Sequence, residues 1–197
     1  DIDESELQKH PEEKNYEVKH FDFRDSSSLF SDFKLNLRND ISEWNSYCYQ
    51  MKKKYFGIWP NVSSDKYNSL NPYDVVKKIN KLINEDAIVT VDTGADLCWV
   101  FQAFERTKQT IFTAGGNSPM GYSFPAAIGS AILSPNKQII CFTGDGGMQM
   151  NIQEFQTMVY HKLPIKIFIL NNFGYGIIKQ FQDEWFEGRY EATGKGY

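Results

Sequence analysis

Two short motifs constrain the fold most: Gly144-Asp145-Gly146-Gly147 and Asn171-Asn172, with Asn172 lying 27 positions beyond Asp145. That interval fits one strand, helix, strand crossover. Gln138 to Phe142 (QIICF) is apolar and β-branched and ends at Thr143 and a glycine-flanked aspartate, which reads as a buried parallel strand entering a tight turn. Ile152, Phe155, Met158, Val159 and Leu163 recur at helical spacing. They predict an amphipathic helix from about Met150 to His161, closed by Lys162-Leu163-Pro164. Ile165 to Leu170 (IKIFIL) then forms a second buried strand. Such crossovers are right-handed and lay their strands parallel, so both carboxyl ends open on one edge of the sheet and Asp145 and Asn172 can converge there.

An aspartate oxygen, an asparagine amide oxygen and a backbone carbonyl at Gly174 make a hard, partly open, all-oxygen site. Magnesium, which keeps one or two carboxylates and completes its octahedron with phosphate and water, fits better than calcium. Gly144, Gly146 and Gly147 allow close backbone approach, and the start of the following helix favours an anion. The ligand implied is a magnesium diphosphate. A GDG alone is commonly a plain turn and an Asn-Asn pair a plain loop, so the inference rests on their joint spacing. Rival motifs fail: Gly174-Tyr175-Gly176 lacks the third glycine of a dinucleotide fingerprint, and Thr193-Gly194-Lys195-Gly196 lacks the Ser/Thr after lysine of a P-loop.

The pattern is regular from Asn71 onward. Asn71 as N-cap and Pro72 at the first helical position start a helix with Tyr73, Val76, Ile79, Leu82 and Ile83 on one face. The strand Ala87 to Val91 follows, then a turn at Asp92-Thr93-Gly94-Ala95-Asp96 into a helix through Trp99, then an extended piece from Gln109 to Thr113. Alternating strands and helices predict an α/β fold, a doubly wound parallel sheet with helices on both faces, whose ligands lie beyond the strands' carboxyl ends where Thr93, Asn117 and Asp145 fall. With 41% hydrophobic and 15% aromatic residues, 197 residues can bury one full core plus an appendage.

The first third differs: it is charged and serine-rich, and Asp25-Ser26-Ser27-Ser28 and Asn61-Val62-Ser63-Ser64-Asp65 read as loops. The chain therefore divides near residue 67. No apolar run approaches a membrane span, and the net charge of −4 argues against nucleic acid as a partner. Lys52-Lys53-Lys54 reads as a solvated helix face. Cys48, Cys98 and Cys141 lack CxxC spacing and point to reduced thiols and a cytoplasmic protein. His10, His20 and His161 show no ligand spacing.

GDGGMQMNIQEFQTMVYHKLPIKIFILNN closely resembles the motif of thiamine-diphosphate enzymes, and in wording it is similar to the large subunit of acetolactate synthase. VTVDTGADLCW, FTAGGNSPMGYSFPAAIGSAI and IIKQFQDEWFEGRY extend the resemblance over the diphosphate-binding domain, roughly Asn71 to Tyr197. The resemblance implies a remnant of the central domain plus a linker over residues 1–66, with Ile41 to about Lys66 as linker helix and loop. Residues 67–197 would be the cofactor domain, shortened at its C-terminal end within a longer polypeptide.

Site roles follow from the same resemblance. Asp145, the Asn172 side chain and the Gly174 carbonyl would hold magnesium; Gly144, Gly146, Gly147 and the loop Thr93, Gly94, Ala95, Asp96 would line the diphosphate. Met120 would wedge thiamine into its bent shape with the Ser118 carbonyl near the aminopyrimidine, and Tyr175, Gly176 and Ile177 would border the site. Thiamine diphosphate would attack a 2-keto acid such as pyruvate, release carbon dioxide, and pass the resulting carbanion to a proton or to a second carbonyl. No catalytic residue is expected in this chain, because the activating glutamate belongs to a pyrimidine-binding domain that nothing here resembles. Alone, the chain would bind the cofactor weakly and catalyse nothing; in the parent, a homodimer or tetramer is expected. A flavin, FAD, is allowed by the resemblance but not indicated by this segment. Three functions remain open: an acetolactate-synthase-like carboligase, a decarboxylase or lyase, and a non-catalytic cofactor-binding module.

The sequence departs from the family at three places. Ala95-Asp96 stands where acetolactate synthases commonly carry Gln-His, Gly147 where they often carry serine, and Phe181 where a tryptophan helps select the acceptor. A charged Asp96 would repel phosphate unless turned away or paired.

Overall fold

The computed structural model describes residues 41–55 and 70–193. The loops expected at Asp25 to Ser28 and Asn61 to Asp65, His10, His20, the central-domain remnant and the division near residue 67 lie outside the described residues. The chain divides into two units, with the break between Lys53 and Lys54.

Helix α1, Ser42–Tyr55, carries Glu43 in its first turn, where an acid suits the helix dipole. Trp44 and Tyr47, three residues apart, stack at 5.8 Å, and the Lys54 ammonium lies 5.0 Å from the Tyr55 ring centre. Lys52, Lys53 and Lys54 are exposed, as a solvated face requires.

In the second unit, α2 spans Pro72–Leu82, and the Asn71 side chain accepts from the Tyr73 N–H at 3.0 Å. Asn71→Ala is expected to cost about 1 kcal/mol of unfolding free energy, read as a lower urea midpoint at unchanged slope. Val76 and Ile79 of α2 are buried and Tyr73 and Ile83 pack beside them. Leu82, expected on that face, is 82% exposed, because the helix ends there and Ile83 turns to extended backbone. The sequence then runs β1 (Ile88–Val91), α3 (Ala95–Ala103), β2 (Thr110–Phe112), α4 (Ser123–Leu133), β3 (Ile139–Gly144), α5 (Asp145–Met150), α6 (Glu154–Tyr160), β4 (Ile165–Leu170) and α7 (Gly176–Trp185).

All strand pairs are parallel, in the order β2-β1-β3-β4. Register sets alternate residues to opposite faces. Val89, Val91, Ile140 and Phe142 pack with α2 and α3, whereas Ile88, Ile139 and Cys141 pack with Phe124, Ala127, Ile128 and Ala131 of α4. The fold is thus α/β with helices on both faces. The chain winds outward from β1 in both directions, which puts the topological switch between β1 and β3.

The helix expected over Met150 to His161 begins later, as α6, and a separate short helix, α5, precedes it. Gly146 and Gly147 let the backbone coil at once after β3, forming α5, and Asn151 breaks it by donating through Nδ2 to the Gly121 carbonyl at 2.7 Å. Helix α6 starts at Glu154 and ends at Tyr160, two residues before Lys162, whose φ is +51°. Of the predicted apolar face, Met158 and Leu163 reach the core and Phe155 meets Phe124 at 4.9 Å, but Ile152 and Val159 are exposed. No helix among the described residues is long and apolar enough to cross a membrane.

Candidate magnesium diphosphate site

A cavity of about 410 Å³ opens at the carboxyl ends of β1, β3 and β4, beside the switch point. The structure brings Thr93, Gly94, Ala95, Asp96, Ser118, Met120, Gly144, Asp145, Gly146, Gly147, Asn172, Gly174, Tyr175, Gly176 and Ile177 together on its lining. Sequence reasoning did not single out Leu97, Cys98, Trp99, Leu170 and Ile178, which also line it. Their proximity to the motifs was the available signal, but they read as ordinary helix and strand interior. Asn117 is exposed and outside the lining. Phe181 is exposed and also outside it.

Three helices, α3, α5 and α7, begin on this lining, at Ala95, Asp145 and Gly176. Their free N–H groups and dipoles make the cavity favourable to an anion. The Thr93 hydroxyl and Asp96 Oδ2 are buried there without a hydrogen-bond partner. Buried polar atoms are rarely left so; the Thr93 hydroxyl is a donor that a polyanionic ligand would satisfy, whereas an ionised Asp96 would repel one.

The three groups expected to hold magnesium lie at the mouths of β3 and β4. The Asn172 amide places one atom 2.6 Å from the Gly174 carbonyl oxygen and 3.1 Å from Asp145 Oδ1. With nitrogen in that place the amide donates to both oxygens. Rotated by half a turn, it brings three oxygens together with no proton between them, an arrangement only a cation stabilises. Adjacent ligands of a magnesium octahedron lie about 2.9 Å apart, given metal to oxygen distances near 2.0–2.1 Å. The observed 2.6 and 3.1 Å bracket that edge. Among the described residues no three His, Cys, Asp or Glu side chains cluster as a metal site, so a metal here depends on amide and carbonyl oxygens. The donor set fits magnesium.

Glycines are required where neighbours crowd in. A Cβ on Gly147 would lie 3.0 Å from the Asp92 carboxyl carbon and from the Thr143 hydroxyl, so a serine there would require these neighbours to yield by a few tenths of an ångström. The Tyr175 ring lies against Gly146, with the Met120 methyl beside it. Ser118 and Phe173 hold φ of +44° and +59°, a conformation most L residues avoid, on the loops that bring Met120 and Asn172 to the site.

Asp92, wholly buried, organises this wall from below. Its Oδ1 accepts from the Thr93 N–H at 2.8 Å and the Gly121 N–H at 2.9 Å. Its Oδ2 accepts from the Ser123 N–H at 3.0 Å and the Ser123 hydroxyl at 2.7 Å. Asp96 sits one turn on, and burial, reinforced by the Asp92 charge, pushes its carboxyl up to about 7. Burial likewise raises the Cys141 thiol to about 11, leaving it chemically quiet.

Residues 92–196 match the family model of the thiamine pyrophosphate enzyme C-terminal TPP binding domain. Among curated proteins, the chain is similar to the acetolactate synthase large subunit of Porphyra purpurea, 33% identical over 170 residues that cover 85% of this chain and 28% of that protein. The large subunit from Buchnera aphidicola subsp. Schlechtendalia chinensis is 37% identical over 153 residues, 74% of this chain and 26% of that one. Isozyme 1 from Escherichia coli (strain K12) is 32% identical over 158 residues, 79% and 27%. The chain thus spans less than a third of the length of these relatives.

Proposed function

Because this chain belongs to the thiamine pyrophosphate enzymes and carries their C-terminal cofactor-binding domain, we propose that it forms the magnesium diphosphate half of an acetolactate-synthase-like active site. The parent enzyme, on this reading, decarboxylates a 2-keto acid such as pyruvate and ligates the remaining two-carbon unit to a second carbonyl. The observation that carries it is the Asn172 amide lying within 3.1 Å of both Asp145 Oδ1 and the Gly174 carbonyl at one mouth of the sheet.

In this reading those three groups would hold the metal, and Gly144, Gly146, Gly147 and the N-terminus of α3 would receive the diphosphate. The Thr93 hydroxyl supplies a further donor toward the diphosphate. Met120, beside Gly146 and the Tyr175 ring, would shape the wall that bends thiamine, and Ser118 lines the same cavity. The bound cofactor supplies the electron sink that lets a 2-keto acid lose carbon dioxide. The chain itself supplies position and a water-poor wall, including Leu170, Ile177 and Ile178.

The activating glutamate comes from a pyrimidine-binding domain of the parent polypeptide, and the assembly is a homodimer or tetramer. Apolar side chains exposed on α6 and α7, among them Val159, Tyr160 and Trp185, agree with a covering domain or subunit. This chain alone is expected to turn nothing over. The test is NMR product analysis of the full-length protein with pyruvate, thiamine diphosphate and magnesium. Acetolactate is the expected product. Acetaldehyde instead would replace the carboligase with a decarboxylase whose intermediate is protonated.

A further inference from the structure

Asp96 is an acid in a place that should reject one. It is 3% exposed, at the second position of α3, and its carboxyl lies between Gly94 and Gly144, the two glycines that bring β1 and β3 to the cavity. Oδ2 has no hydrogen-bond partner although it lines the cavity. Titratable groups on the elements packed around it are Asp92 at the end of β1, Asp74 and the lysines of α2, and the neutral thiol of Cys141 on β3. Of these, Asp92 acts on its charge, and it acts to disfavour ionisation. A diphosphate in the cavity adds negative charge to the same side. An ionised Asp96 would then be buried between two anions, whereas a neutral one offers an O–H that points at an acceptor.

We propose that Asp96 binds the cofactor as a neutral carboxylic acid, donating its O–H to a diphosphate oxygen, so that cofactor binding takes up a proton from solvent. This rests on the diphosphate reading of the cavity and deepens it: the residue that breaks the family's pattern becomes a donor and makes loading sensitive to pH. Because its proton affinity in the free protein lies near neutrality, the dependence falls in an accessible range. The neutral form is depleted as pH rises through about 7, so the apparent Kd should weaken about tenfold per pH unit above that point.

The test is calorimetric titration of the full-length protein with thiamine diphosphate at saturating magnesium, in buffers of different ionisation enthalpy. At pH 8 the wild type should take up close to one proton per cofactor. Asp96→Asn, with a permanent N–H donor, should take up none and should bind about 10–100-fold tighter than wild type at pH 9, since the cofactor's own titration is common to both. If Asp96→Asn does not fold, the wild-type proton count decides alone. Parallel pH profiles in the two proteins, or a wild-type count near zero, would overturn the role of Asp96 and leave the diphosphate site standing. Affinity that rises with pH in the wild type would also overturn it, by showing an ionised Asp96 that holds a cation. Absence of binding at every pH would overturn both readings together.

Discussion

Asp145→Ala should abolish magnesium-dependent binding of thiamine diphosphate in the full-length protein, a loss of at least about 1000-fold, or about 4 kcal/mol. The variant leaves the Asn172 amide and the Gly174 carbonyl, two neutral oxygens, to hold a dication that dehydrates reluctantly. Folding should be nearly untouched. Asp145 is half-buried at the start of α5, and its loss removes one hydrogen bond from Asn172, about 1 kcal/mol. Trp99 on the cavity lining provides the readout, since its fluorescence should change on cofactor binding in the wild type and stay constant in the variant. Binding that survives with unchanged magnesium dependence would refute the metal assignment.

Asp92→Ala should instead unfold the site from within. Four hydrogen bonds of 2.7–3.0 Å converge on this carboxylate from Thr93, Gly121 and Ser123. The Ser123 carbonyl in turn accepts from the Thr90 hydroxyl at 2.9 Å, so the loop carrying Met120 is tied to β1 on both sides. Truncation leaves buried N–H groups without acceptors and a void under Gly147, a cost of about 3 kcal/mol and about 10 °C in Tm. A second signature separates this from a generic packing defect. In the wild type Asp96 keeps its proton in the folded chain at pH values where the unfolded chain has released it. Stability therefore falls as pH rises from about 4 to about 7 and levels off above, because the folded state binds more protons in that window. Removing the Asp92 charge lowers the proton affinity of Asp96, so in Asp92→Ala the fall should end at lower pH and be smaller in total. A variant whose fall spans the same pH range would show that the two acids do not interact.

The legible parts of this fold were those written in short range. The strands at β3 and β4, the Asn71 cap and the glycines around Asp145 each declare themselves within a few residues, and parallel crossover geometry then brings Asp145 to Asn172 without further information. Asp92 could not be read this way, for its partners lie 29 and 31 positions along the chain, on a loop whose approach depends on the packing of α4 against β1 and β3. The split between α5 and α6 had the same cause. The apolar period begins at Ile152, and it is the Asn151 bond to the Gly121 carbonyl, 30 positions earlier, that goes with a helix starting only at Glu154. Leu82 marks a smaller limit: periodicity assigns a face but not the residue at which a helix stops covering it.

The Asn172 amide has one further implication, and it concerns time. An amide has nearly the same shape after half a turn but exchanges a donor for an acceptor, so the empty and loaded states of the metal mouth can share one backbone. Asn172 is exposed, and such side chains reorient in picoseconds to nanoseconds. On the proposed metal reading, emptying the site would leave no stranded oxygens, because the amide can turn to donate to both. The pace of loading then passes to the ion, which must shed water before it can enter.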